Sequence, residues 1–252
     1  MDSIAHGTNL VPWLFIVTGT CNSHCVDKLT ELPLNLVGFD TETTGLDTAT
    51  DEAISYGFAV YRGNALEHRE HYFVRPQRDI HEAAQRVHGV SKDSLTSMYG
   101  VGQALSVKAG ARRAVAFLSE HHRRGATFVG ANPMFDFTML DSTVRREFGA
   151  DLSHFGLRLD ELQIVDVVAH DIAIESREEN ARRRGLSFLA EYYGVTPGNH
   201  HAFEDARTAV EVLWQQIARN QGEQSAATRR VEARPGYFLR ALEAIGKHRT
   251  SR

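Results

Sequence analysis

Residues 34–46 read LNLVGFDTETTGL, and this stretch constrains the chain more than any other. A short apolar run of strand type ends in two carboxylates, Asp40 and Glu42. Strand side chains alternate between faces, so residues two apart emerge on the same one. Charge set directly after an apolar strand is costly unless something pairs with it. The segment therefore predicts a buried strand whose end presents two acids to a cation, and a fold able to supply the rest of that site.

The remainder of the chain is compatible with such a fold. At 252 residues, 42% hydrophobic and 24% charged, it has the size and composition of one α/β domain with extensions and a sizeable core. The two cysteines, Cys21 and Cys25, exclude a disulfide framework and suit a reducing cytoplasm, the expected location. No apolar run approaches the roughly 20 residues of a membrane span, so no membrane association is expected. The apolar run LVPWLFIV (10–17) lacks a preceding Lys or Arg and is short for a secretory leader, so it reads as a hydrophobic arm or strand. CNSHC (21–25) places Cys21, His24 and Cys25 close together, but a structural zinc wants four ligands, and free thiols are expected here.

Net charge is −4, yet it is unevenly spread. From Ile217 to Arg252 there are eight Lys or Arg against three Glu, a basic tail on an acidic body. Such a tail suits either phosphate binding or simple solvation. The expected organisation is an extension over 1–33, one domain over 34–220, and a basic, partly helical tail over 221–252.

Apolar alternation predicts strands at 34–40, 53–63 and 65–74, spaced as an antiparallel meander. A short helix over 79–89 closes on Gly89, and a longer amphipathic helix spans 103–125. A strand at 126–131 leads through Asn132-Pro133 into a further helix. A strand or strand-to-helix unit follows at 162–171, then helices at 185–194 and 201–220, and a short helix at 236–247. Strands first, then alternating helix and strand, imply a mixed sheet with helices on its faces.

Two further acids join the first pair. Asp136, in GANPMFDF, lies in the first turn of a helix, where an acid also stabilises the helix dipole. Asp205, in HHAFEDA, lies in the first turn of the last long helix, with His200 in the loop before it and His201 and Glu204 as competing neighbours. Four carboxylates cannot share a small cleft uncompensated, because like charges raise one another's pKa. Hard divalent cations remove the problem, and Mg²⁺ prefers carboxylate oxygen, water and phosphate. Two such ions about 3.5–4 Å apart can clamp the attacking and leaving oxygens of a phosphodiester. An imidazole titrates near neutral pH and can take the proton of an attacking water.

These motifs resemble those of the DnaQ-like, or DEDDh, 3′-to-5′ exonucleases of the ribonuclease H-like superfamily, over about residues 34–216. FDTETTGLD, GANPMFDF and HHAFEDA stand in the order of the family's three motifs, the last with its H-x4-D spacing. RPQRDIHEAAQRVHGVS (75–91), IVDV (164–167) and LSFLAEYYGV (186–195) resemble its connecting segments. The resemblance implies an α/β fold with a mixed five-stranded sheet, an antiparallel meander plus parallel strands, and helices on both faces. It implies Asp40, Glu42, Asp136 and Asp205 as ligands of two Mg²⁺ or Mn²⁺ ions, with His200 as general base. It also implies that Thr41, Thr43, Thr44, Gly45, Leu46, His88, Asn132 and Phe135 line the substrate, Leu46 as an apolar wedge against the last base. The expected activity is release of nucleoside monophosphates from the 3′ end of single-stranded DNA, in proofreading, repair or degradation, with a replication or polymerase partner. RNA is the alternative substrate, and a non-catalytic nucleic-acid-binding relative is the reading from another class.

Overall fold

Strand β1 (Asn35–Thr43) is central because it is apolar on both sides, with Leu36, Val37 and Phe39 all fully buried. The computed structural model, which describes residues 35–174 and 185–227, pairs β1 with β2 (Ala53–Arg62) in antiparallel register, and β2 in turn with β3 (Ala65–Arg75). Gly63, at φ 59°, makes the turn between β2 and β3. On the other side β1 pairs in parallel with β5 (Thr127–Gly130), and β5 with β6 (Gln163–Asp166). The meander and the parallel half expected from sequence are both present.

The sheet has six strands, ordered β4-β3-β2-β1-β5-β6, where five were expected. The added edge strand β4 (Ala104–Ser106) runs parallel to the end of β3 and occupies residues expected to begin a helix. Three residues are too few for alternation to register as a strand. Ser106 then caps α3, its hydroxyl accepting from Ala109 N–H. Before it come α1 (Glu82–His88), closed by left-handed Gly89 as expected, and α2 (Lys92–Gly100). The latter was not anticipated: it buries only Leu95, so its sequence carries little helical patterning. After α3 (Val107–Arg123) come α4 (Pro133–Phe148), α5 (Val167–Ile174), α6 (Leu186–Tyr193) and α7 (Ala202–Ala227).

Two cores form, one on each face of the sheet. Val37, Phe39, Phe58 and Phe128 face α3 and α4, with the Phe39 ring centroid 5.2 Å from both Phe58 and Phe137. Leu36, Ala59 and Val129 face α7, meeting Ala206, Val210 and Leu213. Glycine sets how near α7 comes. A Cβ on Gly38 would lie 2.1 Å from the Ala206 carbonyl oxygen, and one on Gly57 would lie 2.1 Å from the Ala202 carbonyl carbon. The first turns of α7 therefore touch the backbone of β1 and β2. This close approach carries Asp205 to the end of β1.

The extension over 1–33 with its CNSHC motif, and the short helix expected at 236–247, lie outside the described residues. Of the expected tail, only the end of α7 falls within them. Among the described residues no helix is long and apolar enough to cross a membrane.

Candidate active site

Asp40 and Glu42 leave β1 on the face that carries α7, and Asp205 arrives from that helix. One carboxylate oxygen from each of the three lies within 4.8 Å of the others. Asp136 comes from the opposite edge of β1. The β5 ladder pairs only Leu36 to Gly38, so β1 continues beyond its partner. There Asp136 Oδ1 takes the Thr41 backbone N–H at 2.9 Å and the Thr41 hydroxyl at 2.6 Å. Asp136 is not part of the three-acid group, but it lies close enough to Asp40 to raise its pKa.

All four acids are held above the ordinary carboxylate range. For Asp40 the first cause is burial, followed by the charges of Asp136, Asp205 and Glu42. Glu42 is pushed up to about 7, by burial and then by Asp205. Asp136 also reaches about 7 through burial, against the lowering effect of its Thr41 hydrogen bonds. Asp205 is raised by burial despite His200 beside it. A cluster made only of hard oxygen donors, each costly to ionise alone, matches the needs of a divalent cation such as Mg²⁺ or Mn²⁺ and not those of a soft metal.

This arrangement gives a signed pH dependence. Between about pH 4.3 and 7 the metal-free folded state keeps a proton on Glu42 that the unfolded chain has released. Stability therefore falls as pH rises through that window, and the loss is complete above it. A bound cation removes the effect. Thermal melts in chelator should drop between pH 5 and pH 8, approximately, while melts in millimolar Mg²⁺ should vary less and lie higher at the upper pH. Parallel pH series with and without Mg²⁺ by calorimetry provide the check.

His200 lies in the loop before α7, exposed and with φ 57°, directly after Asn199 at φ 56°. Asn132, before Asp136, has φ 59°. Among the described residues these are the three non-glycine residues with left-handed backbone, and they lie in the loops that lead to Asp136 and Asp205. Such conformations cost about 1–2 kcal/mol apiece and persist where surrounding contacts enforce them. His201 is engaged differently. Its carbonyl accepts the Asp205 N–H at 2.8 Å, and its ring lies 4.3 Å from that of His71, which burial and His201 together lower to about 4. Glu204 accepts from Arg69 and Arg207. His200 and His201 are both exposed and both lie near enough to Asp205 to lower its pKa, but the His201 ring is engaged with His71.

The residues expected to line substrate divide into two sets. Leu46 is 85% exposed and Asn132 is exposed, its N–H donating to Asp166 Oδ1 at 3.1 Å. Phe135 is half-buried against the core. His88 accepts the Val90 N–H on Nδ1 at 3.0 Å, so its proton sits on Nε2; its pKa is lowered chiefly by burial, with Thr43 opposing and His200 adding. The threonines behave otherwise than expected. Thr41, Thr43 and Thr44 are buried, and their hydroxyls donate to Asp136, to the Gly45 carbonyl at 2.7 Å and to Asp51 at 2.8 Å. They shape the loop and orient an acid, leaving no hydroxyl turned outward. Gly45 is also buried and pressed against Asp51 and His81, where a Cβ would come within 2.4 Å of Asp51 Oδ2. Reading the sequence missed Asp51, Glu52 and Asp166. Asp51 and Glu52 fall outside every motif, Asp166 lies within IVDV but has no expected role there, and their partners lie up to 34 residues away.

A mixed sheet of this order, with helices on both faces and an acid cluster at the end of its central strand, is the scaffold on which the comparisons with known proteins bear. The exonuclease family RNase_T matches residues 37–213, and the chain belongs to it, with the DnaQ-like family likeness read from its motifs. Among curated relatives it is similar to the PolC-type DNA polymerase III of Thermotoga maritima, 25% identical over 178 residues, 70% of this chain and 11% of that protein. The PolC-type enzyme of Caldanaerobacter subterraneus subsp. tengcongensis matches to the same extent. The chain thus spans about a tenth of the length of these relatives. Among solved structures, E. coli Exonuclease I in complex with a dT13 oligonucleotide aligns with a TM-score of 0.59 at 15% identity, covering 77% of this chain and 43% of that one. The zinc-bound Exonuclease I–ssDNA complex aligns at 0.60 and 16%, covering 75% and 41%.

Proposed function

We propose that the chain removes nucleoside 5′-monophosphates one at a time from the 3′ end of single-stranded DNA, in the DEDDh manner, using two divalent cations. The observation that carries the reading is the convergence of Asp40, Glu42 and Asp205 within 4.8 Å at the mouth of the sheet. Mg²⁺ or Mn²⁺ bound there would supply Lewis-acid polarisation of the phosphodiester and lower the pKa of water. Asp40, Glu42 and Asp205 would hold the cations, and Asp136, fixed in orientation by Thr41, would complete the acid set. His200 takes the proton from the attacking water at an imidazole nitrogen as the oxygen joins phosphorus. The P–O bond to the departing 3′ oxygen breaks, and that oxygen acquires a proton from solvent.

Leu46, His88, Asn132 and Phe135 would surround the terminal nucleotide, the exposed Leu46 lying against its base. The choice of DNA rests on the relatives, PolC-type DNA polymerases and an Exonuclease I holding dT13. The same relatives make a replication protein the expected partner. Digestion of 3′- and 5′-labelled single strands, DNA beside RNA, with Mg²⁺, tests all of this. Stepwise shortening of the 5′-labelled DNA with mononucleotide products is expected. Preference for the RNA strand would overturn the substrate assignment, since a 2′-hydroxyl contact would then be in play. Mg²⁺-independent cleavage would overturn the mechanism.

A further inference from the structure

Two buried acids beside the cluster have no part in the chemistry above. Asp51 and Glu52, 2% and 5% exposed, end the loop that carries Leu46 and begin the return to β2. Each accepts hydrogen bonds from backbone or hydroxyl donors, and His81 Nε2 lies 3.7 Å from Asp51 Oδ1. Asp51 Oδ1 accepts the Thr44 hydroxyl at 2.8 Å, and its Oδ2 accepts the Asp47 N–H at 2.9 Å. Glu52 Oε2 accepts the backbone N–H groups of Gln77 at 2.7 Å and Arg78 at 3.1 Å. Hydrogen bonds that charged groups accept are the stronger kind, and a buried carboxylate left with one donor fewer bears a large penalty.

The two side chains therefore reach opposite ways. Asp51 brackets Leu46 from both sides, at Thr44 and Asp47. Glu52 holds the segment that leads into α1 and His88. The halves are tied directly as well: Thr44 N–H donates to the Glu52 carbonyl at 2.8 Å and His81 N–H to the Thr44 carbonyl at 2.8 Å. Arg146 closes the loop from α4, donating to the carbonyls of Ala49 and Asp51, each at 2.8 Å. The result is a leucine held 85% exposed by a buried polar frame. A loop serving only to connect strands would gain stability by folding that side chain inward.

The geometry points to Asp51 and Glu52 as a positioning pair that sets the spacing between the Leu46 loop and α1, and so governs how the terminal base of the substrate is gripped. This rests on the proposed function, in which those two elements form the walls of the nucleotide pocket. Neither acid touches the reacting atoms. Their effect falls on substrate engagement, that of Asp51 transmitted through Leu46 and that of Glu52 through the segment leading into α1.

The test is a double-variant cycle in the full chain, read as KM and kcat on a short single-stranded DNA. Asp51→Asn keeps the shape but offers one acceptor oxygen in place of two; it should raise KM about tenfold, with kcat little changed. Leu46→Ala should raise KM similarly, and the double variant should be no worse than Leu46→Ala alone. On a strand whose 3′ nucleotide lacks its base, Asp51→Asn and the unaltered chain should share one KM. Additive KM effects, or a fall in kcat at constant KM, would overturn the inference, as would a Leu46→Ala variant with unaltered KM. Glu52→Gln, cycled against His88→Ala in place of Leu46→Ala, tests the opposite wall if Asp51→Asn does not fold, melting temperature being the control. If the unaltered chain digests no 3′ end at all, the underlying function fails; digestion with additive effects removes only the positioning role.

Discussion

Asp205→Ala should reduce digestion of single-stranded DNA by about 10³-fold or more, because it takes one of three converging ligands from the cation site. The same substitution should raise the melting temperature of the chelated protein at alkaline pH. Asp205 contributes to raising both Asp40 and Glu42, so removing its charge relieves repulsion that the metal-free fold otherwise carries. Opposite signs for activity and metal-free stability are what separate a cation site from a structural ion network, in which loss of one member destabilises the rest. Initial rates in Mg²⁺ and melts in chelator, measured on one preparation, provide the check. A variant that loses activity and stability together would place Asp205 in the scaffold. Asp205 also takes the His201 carbonyl through its backbone N–H, a bond that alanine retains, so the start of α7 should persist.

His200→Ala is expected to act on the chemical step alone. Removing a general base costs about 10²–10⁴-fold in kcat. The ring is exposed and lies at the edge of the acid cluster, so cation binding and oligonucleotide binding should remain close to those of the unaltered chain. Single-turnover rates alongside Mn²⁺ and DNA titrations would show this separation. His201→Ala is the control: its ring packs on His71, so its loss should cost stability and leave most of kcat in place. Equal losses of kcat from the two substitutions would transfer the role of base to His201. The pair of left-handed residues at Asn199 and His200 adds a second comparison, because Asn199→Gly should relieve backbone strain without touching the imidazole.

Much of the scaffold was legible in local pattern. The run ending at Asp40 and Glu42 could only be a buried strand, and the alternation after it gave the meander of β1 to β3. The short β4 was not legible, because three residues do not establish a period, and α2 was obscured by a nearly polar surface. In the site, Asp40, Glu42 and Asp205, which the fold brings together, could be picked out from their motifs. The roles of the threonines could not. Thr41 donates to a carboxylate 95 residues away, and nothing within its own segment reveals that bond.

By itself, then, the sequence determined which side chains carry charge and which strand delivers the first pair, since these follow from periodicity. Only the tertiary structure decided that Asp205 reaches the first pair, through glycines at 38 and 57 that let a helix backbone rest on the sheet. It alone turned Thr41, Thr43 and Thr44 inward and set Leu46 on a frame of buried acids. Such contacts join residues far apart in the chain, and packing geometry, which no local pattern encodes, selects them.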